Sequence, residues 1–341
     1  MIKLLKKLAT IPSTSGDEDE IISFIERFYE GKDVLLKRVG NNLIVEYEAK
    51  GDTKVFNAHV DTVKPSGTWK TNPFEAKETK EKIFGVGTSD MKCTIAILMS
   101  MHDFFKESNQ HVIVTFVEKE ETTGEGSRKV CKHLKKMKLQ NPVCIIGEST
   151  NASWFEIGNK GNIFFEKTYE GKSSHSSKPK QGINSIHKAI DEAKKINKNL
   201  KALHKTHDLL GKSTHAYPTM IKGGTSVNTI PQKTVVKGDV RTTPKNHEEA
   251  VKYLESQGFT IFSNVQPYVC KDKTLHEFIN KQNLPKKPST GSNDAVFFAN
   301  TNIPTIIFGA GTKKCIHKPN EYVKKQNMKQ TKQLYKTFTK L

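Results

Sequence analysis

The sequence predicts an α/β fold in two parts, on three observations. Apolar, strand-like runs alternate with helical stretches over the N-terminal part of the chain. From about Gly161 the texture changes to a β-α-β-β-α order, and after about Val265 the α/β texture returns. The chain has 341 residues, more than one ordinary core accommodates.

In order, residues 1–30 read as helix, break, helix, with the break at Ile11-Pro12-Ser13-Thr14-Ser15-Gly16. Ser15 is the expected N-cap, with Glu18 three positions on and Asp17 to Glu20 suiting the positive end of the helix dipole. Ile21, Ile22, Phe24, Ile25 and Phe28 give that helix its apolar face. Asn42–Tyr47 and Val55–Val60 are strand-like, a helix is expected around Thr94–Phe105, and Val112–Val117 is a buried strand. A helix around Gly126–Met137 and the strand Val143–Ile146 follow. In the second part Asn162–Tyr169, Thr219–Lys222 and Thr234–Arg241 read as strands, and Asn184–Asn197 and His247–Gln257 as helices. Ile303–Phe308 is a late core strand before a C-terminal helix.

Composition narrows the function classes. Apolar residues make up 35%, with 18 Phe and 8 Tyr spread along the chain, so a core can form and disorder is excluded. The net charge of +19 raises the question of nucleic acid. The excess is almost all lysine, arginine occurring only at Arg27, Arg38, Arg128 and Arg241, and the lysines form neither a dense block nor a pattern with stacking aromatics. No nucleic-acid partner is therefore expected; attraction of anionic small molecules is the milder consequence. No run approaches the roughly 18–20 apolar residues of a membrane span, so no membrane partner is expected. The basic Met1–Ala9 start lacks the apolar stretch of a signal peptide. Five irregularly spaced cysteines do not make a disulfide framework, and the expected compartment is the cytoplasm.

Acids and histidines recur where strands end, the usual place for sites in α/β folds. His59-Val60-Asp61 puts an imidazole and a carboxylate on one face of a strand end, although a surface pair reads the same way. Gly85-Val86-Gly87-Thr88-Ser89-Asp90-Met91-Lys92 matches neither phosphate-loop pattern, and reads either as a capped helix start or as a site loop. Lys92 reads as a helix-surface charge or a charge beside the site rather than a catalyst. Glu120-Glu121 follows an apolar strand and is either a solvated turn or a pair bound to a cation. Glu148 ends the next strand, and His317 follows the last. Taken together, these residues carry the mixed nitrogen and oxygen donors of a catalytic zinc site.

Asn57-Ala58-His59-Val60-Asp61-Thr62-Val63, Trp69-Lys70-Thr71-Asn72-Pro73-Phe74 and Ile83 to Lys92 resemble the di-zinc M20 peptidase and deacylase family. Within it they look most like acetylornithine deacetylase and succinyl-diaminopimelate desuccinylase. The resemblance continues through Glu120-Glu121, Glu148, Gly171 to Ser176, Gly223 to Pro231, Asp239-Val240-Arg241, Gly291 to Ala295 and His317. Cys93 stands where relatives commonly have glycine.

The resemblance implies a zinc-peptidase-like catalytic domain at 1–160 and 267–341, with a mixed sheet flanked by helices. It implies an inserted α+β, ferredoxin-like domain at 161–266 that acts as a lid and forms a homodimer interface. Asp90 would bridge two zinc ions per subunit, with Co2+ or Mn2+ able to substitute. His59 and Glu148 would complete one site, and Glu121 and His317 the other. Asp61 would orient His59, Glu120 would be the general base, and His175 would stabilise the oxyanion in a neighbouring subunit. Asn228, Arg241 and Gly291 would hold the substrate carboxylate. Arg241 also draws notice by itself, because a planar fork binds a carboxylate bidentately in a chain that otherwise uses lysine. The implied reaction is hydrolysis of the N-acyl amide of a small amino acid, a step of amino-acid biosynthesis. It would use zinc-activated water on an N-acetylornithine-type substrate. Succinyl-diaminopimelate desuccinylase, a metallo-dipeptidase or aminopeptidase, and a non-catalytic basic binding protein are the alternatives.

Overall fold

The computed structural model describes residues 1–289 and 291–341. The chain divides into two compact units: Met1–Ile157 with Cys270–Lys287 and Asn293–Leu341, and Gly158–Val269 with Pro288–Ser292.

The first unit is a mixed α/β structure. Its centre is four parallel strands in the order His111–Val117, Thr53–His59, Val143–Ile146, Thr305–Ile307. Antiparallel strands Leu43–Tyr47 and Leu35–Arg38 extend one side, and Glu156 pairs antiparallel with Ile307 on the other. Every residue of Thr53–His59 and Val143–Ile146 is buried, which is why Val143–Ile146 reads as an unbroken apolar run. The helix Lys92–Met99 is buried on all sides and packs against the helices Ile2–Thr10 and Lys325–Thr339. Phe56 meets Phe105, Tyr335 and Phe338 with ring centroids 5.2, 5.2 and 5.4 Å away, which fixes the C-terminal helix on the sheet.

Register places the site. His59 lies opposite Val117, Asn57 opposite Ile146, and Ile146 opposite Ile307. The four parallel strands therefore end at one edge. The connections diverge between Thr53–His59 and Val143–Ile146, and that crevice is where open α/β sheets hold their ligands.

The second unit has strands Gly161–Glu170, Thr214–Gly223, Lys233–Thr242 and Thr260–Val265 and helices Ser185–Ala202 and His247–Ser256. The order is β-α-β-β-α-β, all pairs are antiparallel, and the first and third strands lie in the middle. Asn184 caps the first helix, its side chain accepting from the N–H groups of Ile186 and His187. Ile163, Phe165, Tyr217, Leu254 and Phe259 belong to this unit's own core.

Several elements differ from the sequence reading. The helix expected around Thr94–Phe105 is two, Lys92–Met99 and His102–Lys106. The strand expected at Thr219–Lys222 runs from Thr214 to Gly223 across Pro218, with a register shift between Ala216 and Met220. It is an edge strand, where a missing N–H costs no ladder bond. Thr260–Val265 was not anticipated. It is another edge, with exposure alternating along it, and polar residues interrupt its apolar signal.

Candidate metal centre

The site forms where the parallel strands of the first unit end. His59 is the last residue of its strand and is buried. Its Nδ1 lies 2.9 Å from the Asp61 carbonyl oxygen and 3.4 Å from Asp61 Oδ1. Two acceptors on that side place the proton on Nδ1. The Nε2 lone pair then points at Asp90 Oδ1, 3.3 Å away, and Glu148 Oε1, 3.6 Å away.

Asp90 sits at the end of the Gly85–Met91 loop, with its carboxylate between two imidazoles. Oδ1 faces His59, and Oδ2 is 3.2 Å from His317 Nε2. His317 Nε2 is also 2.8 Å from Glu121 Oε1. Glu120 offers an oxygen within 4.8 Å of the donor atoms of His59 and Glu148. His59, Asp90, Glu120, Glu121, Glu148 and His317 therefore lie together, although they come from opposite ends of the chain and from four strand ends.

Asp61 has a second task. Its Oδ1 accepts the Glu120 N–H at 3.0 Å, and its Oδ2 accepts the Glu121 N–H at 3.1 Å and the Ser15 hydroxyl at 2.6 Å. Ser15 is therefore not the N-cap. The helix starts at Asp19, Glu18 takes the cap position without a side-chain cap bond, and Glu18 Oε1 accepts the Lys119 N–H at 3.2 Å. The N-terminal break is spent on holding the Glu120–Glu121 turn.

The electrostatics are those of a donor set crowded with acid. Burial, and then the charge of Glu148, push the Glu120 carboxyl well above its usual range. Burial and the charge of Asp90 do the same to Glu148. Burial works against the Asp90 charge, yet the bonds with His317 and His59 hold its carboxyl well below normal. His317 is drawn up to about 10 by Asp90 and Glu121. Burial pulls His59 down, but Asp61 and Asp90 carry it well above the imidazole range. Such a set balances its charge by taking up protons or by holding cations.

Three of the four pairs have spacings that fit cations, while His317 and Glu121, 2.8 Å apart, stand at hydrogen-bond distance. Two donors each about 2.0–2.2 Å from a tetrahedral metal lie roughly 3.3–3.5 Å apart. The His59–Asp90, His59–Glu148 and His317–Asp90 pairs are 3.3, 3.6 and 3.2 Å apart. An imidazole lone pair aimed between two carboxylates has no partner except a proton or a metal.

The remaining sequence-predicted residues lie in the second unit. His175 forms an antiparallel bridge with Thr229, and its Nδ1 is 2.8 Å from Ser177 Oγ. Asn228 accepts the Ser226 hydroxyl at 2.6 Å and, through its carbonyl, the Ser176 N–H at 2.9 Å, so His175 and Asn228 occupy adjoining exposed loops. Arg241 Nε donates to Asp239 Oδ2 at 2.9 Å, and Asp239 Oδ1 accepts from Asn162 at 2.9 Å. Gly291 is half-buried and has open space where a Cβ would stand.

Three further groups lie beside the cluster, of which the sequence reading gave a place only to Lys92. Lys92 is not on a surface: it is fully buried, its Nζ donates to the Ile11 carbonyl at 2.7 Å, and burial lowers it to about 7. Asp294 is buried, accepts from Asn57 Nδ2 at 3.1 Å, and is pushed by burial up to about 6. Glu321 is buried behind Asp90. For Asp294 and Glu321 the hint in the sequence was acidity next to a motif residue, a signal that exposed acids share.

A mixed sheet that gathers histidines and carboxylates at its parallel strand ends defines a metal-binding hydrolase. The chain belongs to peptidase family M20/M25/M40, whose family model matches residues 55–340. It is thus a metallopeptidase or deacylase. It is 26% identical to a succinyl-diaminopimelate desuccinylase of Sulfurovum sp. (strain NBC37-1), over 99% of this chain and 97% of that protein. It is also 26% identical to an acetylornithine deacetylase of Buchnera aphidicola subsp. Schizaphis graminum, over 99% and 97%. Among solved structures, an M20 family metallo-carboxypeptidase from Sulfolobus solfataricus shares the fold with a TM-score of 0.77 at 20% identity, over 100% of this chain and 99% of that one. A tripeptidase from Staphylococcus aureus does so with a TM-score of 0.79 at 17% identity, over 100% and 98%. No helix among the described residues is long and apolar enough to cross a membrane.

Proposed function

We propose that this chain is a zinc-dependent deacylase of N-acylated small amino acids, acting on an N-acetylornithine-type substrate. The observation that carries the reading is the Asp90 carboxylate, with one oxygen toward His59 and the other toward His317. His59, Glu148 and Asp90 Oδ1 would hold one cation, and Glu121, His317 and Asp90 Oδ2 the other. Zinc suits this mixture of imidazole and carboxylate, with cobalt or manganese able to replace it. When bound, such a pair of cations supplies an acidified water and a polarised amide carbonyl.

The chain's own residues supply the rest. Asp61 keeps the His59 proton on Nδ1 and anchors the turn that carries Glu120. Glu120 has a raised proton affinity, which suits a base that takes the proton of the attacking water and returns it to the leaving nitrogen. His175 is assigned to the oxyanion, contributed by a second copy of the chain. Asn228, Arg241 and Gly291 are assigned to the substrate carboxylate. The second unit then serves as lid and dimer surface.

The relatives named succinyl-diaminopimelate desuccinylase support a second reading equally: the same chemistry on a succinyl amide. Initial rates on N-acetylornithine, N-succinyl-diaminopimelate and a set of dipeptides, with and without added zinc, separate the cases. Zinc-dependent release of acetate supports the first reading, and release of succinate the second. Release of amino acids from dipeptides alone overturns both.

A further inference from the structure

Glu321 is 2% exposed and lies four residues beyond His317. Its Oε1 accepts the backbone N–H groups of Ser89 at 2.7 Å and Asp90 at 3.1 Å, and its Oε2 accepts that of Gly87 at 3.1 Å. Its own carbonyl accepts the Gly85 N–H at 3.0 Å. The next carbonyl, that of Tyr322, accepts the Ser89 hydroxyl at 2.6 Å, and Ser89 Oγ accepts the Thr312 N–H at 2.8 Å. The 312–322 segment carries His317, and the Gly85–Met91 loop carries Asp90. The two are stitched together through one carboxylate and one hydroxyl.

We infer that Glu321 is a positioning residue of the metal centre, fixing the backbone of Asp90 against the segment that carries His317. The inference rests on the two-cation reading above. Asp90 has to face both sides at once, so a shift that improves one side spoils the other, and productive sites tolerate only about 0.5 Å. The side-chain choice follows from donor counting. A carboxylate has two oxygens and about four lone-pair sites, enough for three N–H groups. A carboxamide in its place has one oxygen and presents an NH2 to a backbone N–H. An acid therefore has an acceptor for each of the three N–H groups, and an amide does not.

The test uses the full-length protein loaded with Co2+, comparing the wild type, Glu321→Gln, Glu321→Asp and, as a control, Tyr335→Phe. Tyr335 donates a buried hydrogen bond to the Phe308 carbonyl at 2.7 Å in the same unit, and takes no part in the loop. Cobalt stoichiometry, affinity and visible absorption are read together with the thermal midpoint. Wild type should bind two ions. Glu321→Gln should bind about 10–100-fold more weakly, with shifted absorption bands, and Glu321→Asp should lie between. Tyr335→Phe should lower the midpoint and leave the affinity and bands unchanged. Glu321→Gln with wild-type affinity and bands overturns the inference, as does a Tyr335→Phe spectrum that moves equally. If Glu321→Gln does not fold, Glu321→Asp decides by the same criteria. Fewer than two ions on the wild type would instead overturn the two-cation reading.

Discussion

The His59 ring has its proton placed by its neighbours. Both acceptors of Asp61 lie on the Nδ1 side, so Nε2 is left as a donor of electrons toward Asp90 and Glu148. Glu120 differs, because it sits among acids and Asp61 holds only its backbone. The two residues should therefore fail in different ways. Glu120→Gln is expected to keep its metal and lose turnover by about two to four orders of magnitude. His59→Ala is expected to lose metal content along with activity. Elemental analysis beside initial rates checks both: near-normal turnover removes Glu120 as the base, and unchanged zinc removes His59 as a ligand. The residue types and the two-residue spacing of His59 and Asp61 were readable in the sequence. The double use of Asp61, toward an imidazole on one side and the Glu120–Glu121 backbone on the other, was not, because the second partner arrives from a different strand.

The strand ends leave little room around the site. A Cβ on Gly309 would collide with the carbonyl oxygens of Gly147 and Glu148, backbone that cannot yield cheaply. Gly309→Ala should therefore displace the end of the Val143–Ile146 strand. A loss of about 1–3 kcal/mol in stability is expected, together with weaker metal retention. Thermal melts and bound-metal measurements check this, and a variant matching wild type in both refutes it. In the second unit, His247 opens its helix, buried between Thr242 Oγ1 at 2.6 Å and Asn264 Oδ1 at 2.8 Å. Burial lowers its proton affinity, partly opposed by Asn264 and Glu248. The unfolded chain thus binds this proton more readily. The contribution of neutral His247 is fully present above the unfolded value of about 6.5, and is lost as pH falls toward the folded value. His247→Gln should flatten the acid side of the stability–pH curve below about pH 6.5, as read by denaturant melts; an unchanged slope refutes this. Periodicity marked this helix and the apolar strands in the sequence. It caught only Thr219–Lys222 of the edge strand Thr214–Gly223 and missed Thr260–Val265; proline and polar residues are tolerated at these edges because one side of the ladder is free.

Across the whole molecule the donor cluster lies in the first unit, while the second unit has its own core. Removing metal from the holoprotein should therefore act unevenly. A chelator is expected to speed amide exchange in Thr53–His59, His111–Val117 and Val143–Ile146, and to leave Gly161–Glu170 close to its original rate. Hydrogen-exchange mass spectrometry checks this, and uniform loosening of both units would contradict it. By itself, the sequence determined the alternation of strand and helix, the runs that bury on both faces, and the short set of acids and histidines from which a site could be drawn. These are properties of neighbouring residues, since periodicity and burial are written over a few turns of chain. Only the tertiary structure decided that one Asp90 oxygen faces His59 and the other His317, that Lys92 is buried rather than solvated, and that Glu321 backs the Asp90 loop. Those relations depend on the register between parallel strands and on the path of loops far apart in the chain, and no single stretch of sequence encodes either.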